Sequence, residues 1–246
     1  MGGRTIHFYS KWQLEDGLRT MNYLYQIRDY LHNNDIIFIY YCNSIYKTQL
    51  GAFAPAPHVL IAPFENAPEE AVDAWARTWL HDLSMCADRF AKQFGFPATS
   101  SPFYKDPDLL DRYEELHVDA KEVNVLLINT PPLRSETDFM RLHWERLAYD
   151  LAAAGYTIIT TSIMLGIHCT RKYTQSIKDI AAISTRAKYI ITCPNTTIIP
   201  ALLNEYTISS VEKWFIFNKE TKYQYPNIQI CATSLAQVRA ELLRSF

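Results

Sequence analysis

The stretch Asp35–Cys42 reads DIIFIYYC, an almost unbroken run of β-branched and aromatic residues. A strand with one wet face alternates apolar and polar side chains. A continuous run instead fits a strand covered on both faces, as in a parallel sheet flanked by helices. Its neighbours fit the same plan. Arg4–Ser10, RTIHFYS, is a short strand candidate, and Leu18, Met21, Leu24, Tyr25, Ile27 and Leu31 recur near helical spacing between Leu14 and His32. Asn33 and Asn34 stop that helix. His58–Pro63 is a weaker third strand. Pro68 then opens a long amphipathic helix pattern through Ala71, Trp75, Trp79, Leu83 and Phe90, ending near Gly95.

Phe96–Leu109, FPATSSPFYKDPDL, changes the composition and reads as a linker, with a short helix following to about Leu116. The alternation then restarts. Strands are expected at Glu122–Asn129, Tyr156–Ser162, Ala187–Cys193 and Lys213–Asn218, with a weak last one at NIQIC. Helices are expected at Thr137–Ala154, stopped by Gly155, at Ser176–Thr185, from Thr197 to about Tyr206, and at Leu235–Leu243. Strands alternating with helices imply parallel sheets with helices on both faces. The 246 residues suit two domains of about 100 to 150 residues each. The expected architecture is therefore α/β, with two Rossmann-like doubly wound parallel-sheet lobes facing a central cleft, residues 1–105 and 118–246.

Charge narrows the function. With 24 basic and 26 acidic residues the net charge is -2, which gives no reason to expect a nucleic-acid partner held by bulk electrostatics. Cys42, Cys86, Cys169, Cys193 and Cys231 are odd in number and lack a CxxC pair, so they read as buried thiols in a reducing compartment. No secretory signal pattern opens the chain and no run of about 18 apolar residues occurs, which leads to a cytoplasmic expectation. There is no GxGxxG, no GxxxxGK[ST], no GxSxG and no DxD triplet in a strand-end loop. Any nucleotide site must then work through helix dipoles and Arg or Lys, without a metal or other cofactor.

In open parallel sheets ligands sit at the carboxyl ends of strands, so the loops after strands are where chemistry is sought. The loop after the first strand carries Glu15 and Asp16 just before Gly17. A carboxylate there can act as a general base, or it can simply complement the dipole of a first helical turn. After Glu122–Asn129 come Thr130, Arg134 and Ser135. Arg134 can fork onto a phosphate, or the stretch is a surface loop with Thr137 capping the next helix. The loop after Tyr156–Ser162 holds Gly166, His168, Arg171 and Lys172 ahead of Ser176, with His168 read as a loop histidine before a catalytic one. Asn195, Thr196 and Thr197 stand where a helix N-terminus either receives an anion or is capped.

The order of strand, acid-bearing loop, NYL-bearing helix, linker and a second lobe containing SIKDIAAISTRAKYIITCPNTT resembles glycosyltransferases of the GT-B fold. The likeness is greatest to heptosyltransferase-like and related polysaccharide-building enzymes. Their first loop often reads GLGD before a helix, and their second lobe commonly carries lxxlaaxxxxakyxIgxdSGpxH. By this resemblance Asp16 falls on the first-loop aspartate, a candidate catalytic base, with Asn22 following on the helix and Glu15 as the fallback. Asn195, Thr196 and Thr197 fall on the region facing the donor diphosphate. Arg134 and Ser135 fall in a phosphate-contacting loop, and Lys172 and Ser176 fall near the nucleoside side of the donor. The chain departs from the pattern where Gln13, Leu14 and Glu15 precede Asp16, Thr196 replaces a glycine, Pro194 an acid and Ile199 a histidine.

What the resemblance implies is an inverting, metal-independent glycosyltransferase, moving a hexosyl or deoxyhexosyl group from a nucleotide-diphosphate sugar to a hydroxyl of a glycan or related acceptor. The alternatives are a GT-B-like nucleotide-sugar epimerase and a non-catalytic nucleotide- or glycan-binding domain. The length is short for this fold, which suggests a trimmed enzyme or one domain of a larger transferase. The resemblance also lets the final helix pack back on the first lobe.

Overall fold

The computed structural model describes residues 3–10, 14–73, 91–98, 101, 103–118, 123–129, 143–173, 176–192, 198–216 and 235–243. The chain divides into two compact units, Met1–Asp106 and Pro107–Phe246. No helix among the described residues is long and apolar enough to cross a membrane.

The first unit is built on β1 (Arg4–Tyr9), β2 (Ile36–Cys42), β3 (Val59–Pro63) and β4 (Val72–Asp73), ordered β3-β2-β1-β4 with all pairs parallel. The expected first helix forms but divides at Ile27, where φ is -105° and ψ 12°, into α1 (Leu14–Gln26) and α2 (Arg28–Asn33). Leu18, Met21, Leu24, Tyr25, Ile27 and Leu31 are all buried, so the helical spacing marks the face laid on the sheet. Full burial of each such side chain contributes about 1.5 to 3 kcal/mol. The helix ends at Asn34, and Asp35 takes the left-handed φ of 50° before the chain enters β2. In β2 the residues Ile36, Phe38 and Tyr40 are buried against one face, and Tyr41 and Cys42 are buried too, whereas Ile37 is exposed. Coverage on both faces thus holds only for the carboxyl half of the strand.

Two features of this unit correct the sequence reading. A 3-10 turn, Ser44–Tyr46, leads into α3 (Lys47–Phe53), with Asn43 Oδ1 accepting from the Ile45 N–H at 3.1 Å. The helix expected from Pro68 is not formed over Pro68–Asp73, because Val72 and Asp73 are instead strand β4, paired with Phe8 and Tyr9 of β1. The open edge of β1 needs partners for its N–H and C=O groups, and that need overrides the local helical period. Residues 74–90 of the pattern lie outside the described residues. Ala91–Phe94 are helical, and Gly95 closes the turn at φ 70° with its N–H bonded to the Ala91 carbonyl at 2.9 Å.

The second unit carries β5 (Val123–Leu127), β6 (Ile158–Thr160), β7 (His168–Cys169), β8 (Ala187–Thr192) and β9 (Lys213–Ile216), ordered β7-β6-β5-β8-β9 and parallel throughout. It opens with α4 (Asp108–Glu115), the short helix that the sequence places beside the linker. Arg112 of α4 donates to the buried Asp179 carboxylate at 2.6 Å, and Arg186 lies 5.4 Å over the Tyr113 ring, so α4 packs within this unit. The described part of the next helix is α5 (Trp144–Ala153). It stops in a Schellman motif, with Gly155 at φ 88° bonding the Ala152 carbonyl and the Tyr156 N–H bonding that of Leu151.

β7 was not foreseen: His168 and Cys169 form an edge strand on Ile159 and Thr160 where the sequence suggests loop. It leads into α6 (Thr170–Tyr173) and then α7 (Ile177–Ser184). The helix expected over Thr197–Tyr206 is instead two pieces, α8 (Ile199–Leu202) and α9 (Glu205–Ser210). Asn204 interrupts it at φ -110° and ψ 153°, capping α9 by accepting from the Thr207 N–H at 2.8 Å. The closing helix, α10 (Leu235–Leu242), has partners in its own unit: Tyr156 donates to the Leu242 carbonyl at 2.7 Å, and Arg239 pairs with Asp150 of α5 at 2.7 Å. The expected strand NIQIC lies outside the described residues.

The contact between α1 and α3 sets a test. A Cβ on Gly17 would stand 2.7 and 2.8 Å from the two methyls of Leu50, a fully buried side chain. Alanine at an open helical position gains about 1 kcal/mol over glycine, but forcing an atom into a filled core costs about 1 to 3 kcal/mol. Gly17→Ala is therefore expected to lower the urea midpoint, and a raised midpoint would show that the α1–α3 approach tolerates a side chain there.

Candidate active site

Each sheet has one place where the strand order reverses, between β1 and β4 in the first unit and between β5 and β8 in the second. Loops leaving the carboxyl ends there diverge and open a crevice. The chain leaves β1 through Ser10, whose N–H bonds the Tyr41 carbonyl at 3.0 Å, and enters α1 at Leu14. Glu15 and Asp16 occupy the first turn of α1, where the helix dipole favours carboxylates.

The two acids have different surroundings. Glu15 Oε1 accepts from the Arg19 guanidinium at 2.6 Å, and Arg19 is buried. The Glu15 carboxylate is thus one counterion of a buried guanidinium. Asp16 is half-buried, and its carbonyl accepts from Thr20 Oγ1 at 3.0 Å. Asn22 is wholly buried on the same helix. Near them lies Tyr40, whose phenol burial pushes far above the ordinary tyrosine range; Ser10 and Thr20 oppose the rise, and Cys42 and the Asp16 charge add to it.

In the second unit Asn129 follows β5 and does work that no motif announced. Its Oδ1 accepts from the Thr161 N–H at 2.9 Å, the Ser162 N–H at 2.7 Å and Thr161 Oγ1 at 3.2 Å. Its Nδ2 donates to the Ser162 carbonyl at 3.4 Å. One buried amide thus ties the loop leaving β5 to the loop leaving β6. The only hint in the sequence is a polar residue ending an apolar strand.

The donor-side residues are placed as follows. Lys172 is exposed on α6, and Ser176 is the N-cap of α7, its Oγ accepting from the Asp179 N–H at 3.1 Å. Ser176 is thereby engaged as a cap. Arg134, Ser135, Asn195, Thr196 and Thr197 lie outside the described residues. They follow β5 and β8 in the chain, the two strands that flank the reversal in strand order. His168 is exposed at the sheet edge on β7. Among the described residues, no group of three His, Cys, Asp or Glu side chains gathers as a metal-ligand set.

No protein-family model matches the chain, and no curated protein matches it in sequence. Solved structures do match in fold. The E. coli heptosyltransferase WaaC, solved with ADP-2-deoxy-2-fluoro heptose, superimposes with a TM-score of 0.63 at 14% identity, over 98% of this chain and 98% of that one. A glycosyl transferase family 9 protein from Veillonella parvula gives 0.59 at 10% identity, over 99% and 98%. E. coli ADP-heptose LPS heptosyltransferase II gives 0.54 at 10% identity, over 98% and 99%. Two parallel Rossmann-like sheets, each with its own reversal, are the α/β fold that the chain shares with these structures. Its fold is that of these heptosyltransferase structures, at 14% identity or less in sequence.

Two outcomes follow from this geometry. Asn129→Ala removes the acceptor shared by the Thr161 and Ser162 amides, although the Thr161 N–H keeps the Leu127 carbonyl at 3.1 Å, and is expected to cost about 1 to 3 kcal/mol, with Asn129→Asp, which keeps an acceptor oxygen, costing less. Denaturant unfolding that ranks Ala no worse than Asp would dismiss the clamp. Separately, Cys42 is buried and free, and burial pushes its thiol from the ordinary 9.0 up to about 11, with Lys47 pulling down and Glu65 adding to the rise. The fold favours the neutral thiol, so this contribution to stability is complete below about pH 9 and is lost as pH climbs towards about 11. Alkylation of Cys42, followed by peptide mass spectrometry, should be slow at pH 8 and rise steeply above pH 9; a rate already at its plateau by pH 9 would contradict the burial.

Proposed function

We propose that this protein is a glycosyltransferase that moves a sugar from a nucleotide-diphosphate donor to a hydroxyl of a glycan or related acceptor. The observation that carries this reading is the end-to-end likeness of fold to a heptosyltransferase held with a nucleotide-sugar analogue. The contrast between the two acids of α1 supports it further. Glu15 pairs with the buried Arg19, and Asp16, which falls on the first-loop aspartate of the resemblance, is assigned as the base.

In this reading the Asp16 carboxylate takes the proton of the acceptor hydroxyl as its oxygen attacks the anomeric carbon. The bond from that carbon to the diphosphate oxygen breaks, and the nucleoside diphosphate leaves with the electron pair. Attack opposite the leaving group inverts the anomeric centre. Arg134 and Ser135, with Asn195, Thr196 and Thr197, receive the charge that grows on the departing diphosphate. Lys172 and Ser176 lie towards the nucleoside. A helix N-terminus and an arginine can carry this charge without a metal ion.

A panel of nucleotide sugars, with ADP-heptose beside hexose and deoxyhexose donors, is the direct test. A donor present at about a hundred times its Kd raises stability by about 2.7 kcal/mol, readily seen as a thermal shift. Turnover of the best donor is then measured with and without candidate acceptors, because an epimerase needs none and a binding domain releases no diphosphate. Asp16→Asn is expected to keep donor affinity and to lower turnover by about 10²-fold or more. Glu15→Gln is expected to weaken the fold through Arg19 first. Absence of nucleoside diphosphate binding at millimolar concentration would sink the proposal, and loss of turnover with Glu15→Gln alone would move the base by one residue.

A further inference from the structure

The amino ends of the strands in the first unit carry a histidine pair that no role above uses. His32 stands in the last turn of α2 and is exposed, and His58 directly precedes β3 and is half-buried. Because the sheet is parallel, this edge is opposite to the one from which the chain runs into Asp16. His32 Nδ1 lies 3.0 Å from His58 Nε2, with the ring centroids 5.2 Å apart and the planes at 70°. His58 Nδ1 lies 3.3 Å from the Ile36 carbonyl. A carbonyl only accepts, so Nδ1 of His58 carries the proton, and its Nε2 turns a bare lone pair towards His32.

That arrangement is the one a metal-bound histidine takes: one ring nitrogen donates to a backbone carbonyl, which fixes the tautomer and aims the other nitrogen at the ion. We propose that His32 Nδ1 and His58 Nε2 form a two-nitrogen chelate for a divalent transition-metal ion of the nickel or copper kind. Their spacing selects the ion. At a metal–nitrogen distance of about 2.0 to 2.1 Å, two nitrogens 3.0 Å apart subtend about 90 to 95° at the metal. Those are neighbouring positions of an octahedral or square-planar ion, whereas a tetrahedral ion would want about 3.3 to 3.4 Å. No third His, Cys, Asp or Glu gathers with the pair among the described residues, so water takes the remaining positions. Without the ion, His32 donates its Nδ1–H to His58. On binding, that proton passes through solvent to His32 Nε2, and Nδ1 becomes a ligand. The pair joins the end of α2 to the start of β3, an edge strand whose neighbour in the sheet is β2. A bound ion therefore clips that edge strand at its beginning.

The full chain, without an affinity tag, is titrated with nickel chloride by calorimetry beside His32→Ala, His58→Ala and, as a control outside the pair, His168→Ala. One ion per chain is expected. Either pair variant should weaken binding about tenfold or more, because a second ligand on the same chain acts at high effective concentration, and His168→Ala should stay within about twofold. Hydrogen exchange then reads the clip: saturating nickel is expected to slow the β3 amides about tenfold while β5 and β8 keep their rates.

His32 is exposed, so His32→Ala tests the chelate even if His58→Ala destabilises the fold. Wild-type affinity in His32→Ala, or no binding at millimolar nickel, overturns the site. Binding that depends on both histidines but leaves β3 exchange unaltered overturns the clip. No nucleotide sugar enters these measurements, so their outcome is separate from that of the transferase proposal.

Discussion

Parallel strand pairing is the constraint from which the rest of this molecule follows. A parallel neighbour cannot be reached by a tight turn, so each strand must hand the chain to a crossover that returns over a face of the sheet. Two consequences appear in both units. Every strand delivers its outgoing loop to the same edge, and the central strands, β1 and β5, have partners on both sides. The buried apolar faces of α1, α5 and α7 cover those sheets. Polar chemistry is then confined to strand ends, where Ser10, Glu15 and Asp16 stand in one unit and Asn129 in the other.

At those strand ends, neighbouring residues of one type have separated into different physical roles. Glu15 and Asp16 share a helical turn and a dipole, but Glu15 faces Arg19 one turn on. A buried guanidinium without its carboxylate is among the more costly things a core can hold. That pairing gives Glu15 a structural partner, and the proposed role of base falls to Asp16. The same logic applies to the serine and threonine hydroxyls. Ser176 is taken up as a helix cap, whereas the Thr20 hydroxyl donates back to the Asp16 carbonyl one turn earlier in α1.

Much of the fold was legible in the sequence because its signals are long and mutually consistent. DIIFIYYC, the helical spacing of Leu18 to Leu31 and the glycine stop at Gly155 each required one local pattern and one packing partner. What escaped was set by tertiary need. Val72–Asp73 and His168–Cys169 are strands of two residues, too short to show a period, and each exists because a neighbouring strand edge needed pairing. The break at Asn204 depended on whether an asparagine would cap or continue a helix, which its letter alone leaves open. For the site, the acid pair was visible, but the distinction between its members required knowing where the Arg19 side chain is buried. Asn129 was invisible as a functional residue, since its value lies in three donors contributed by a loop more than thirty residues away.

The Asn129 clamp has a mechanical meaning beyond its hydrogen bonds. Because one amide oxygen serves the backbone of Thr161 and Ser162 at once, the departure points of the two loops after β5 and β6 form a single lever arm. A ligand that pulled on either loop would load both, and the stiffness it met would be that of the paired strands beneath, not that of a loop. Such a joint converts two independent entropic costs of ordering into one. Substrate contacts made on one side would then find the other already in register.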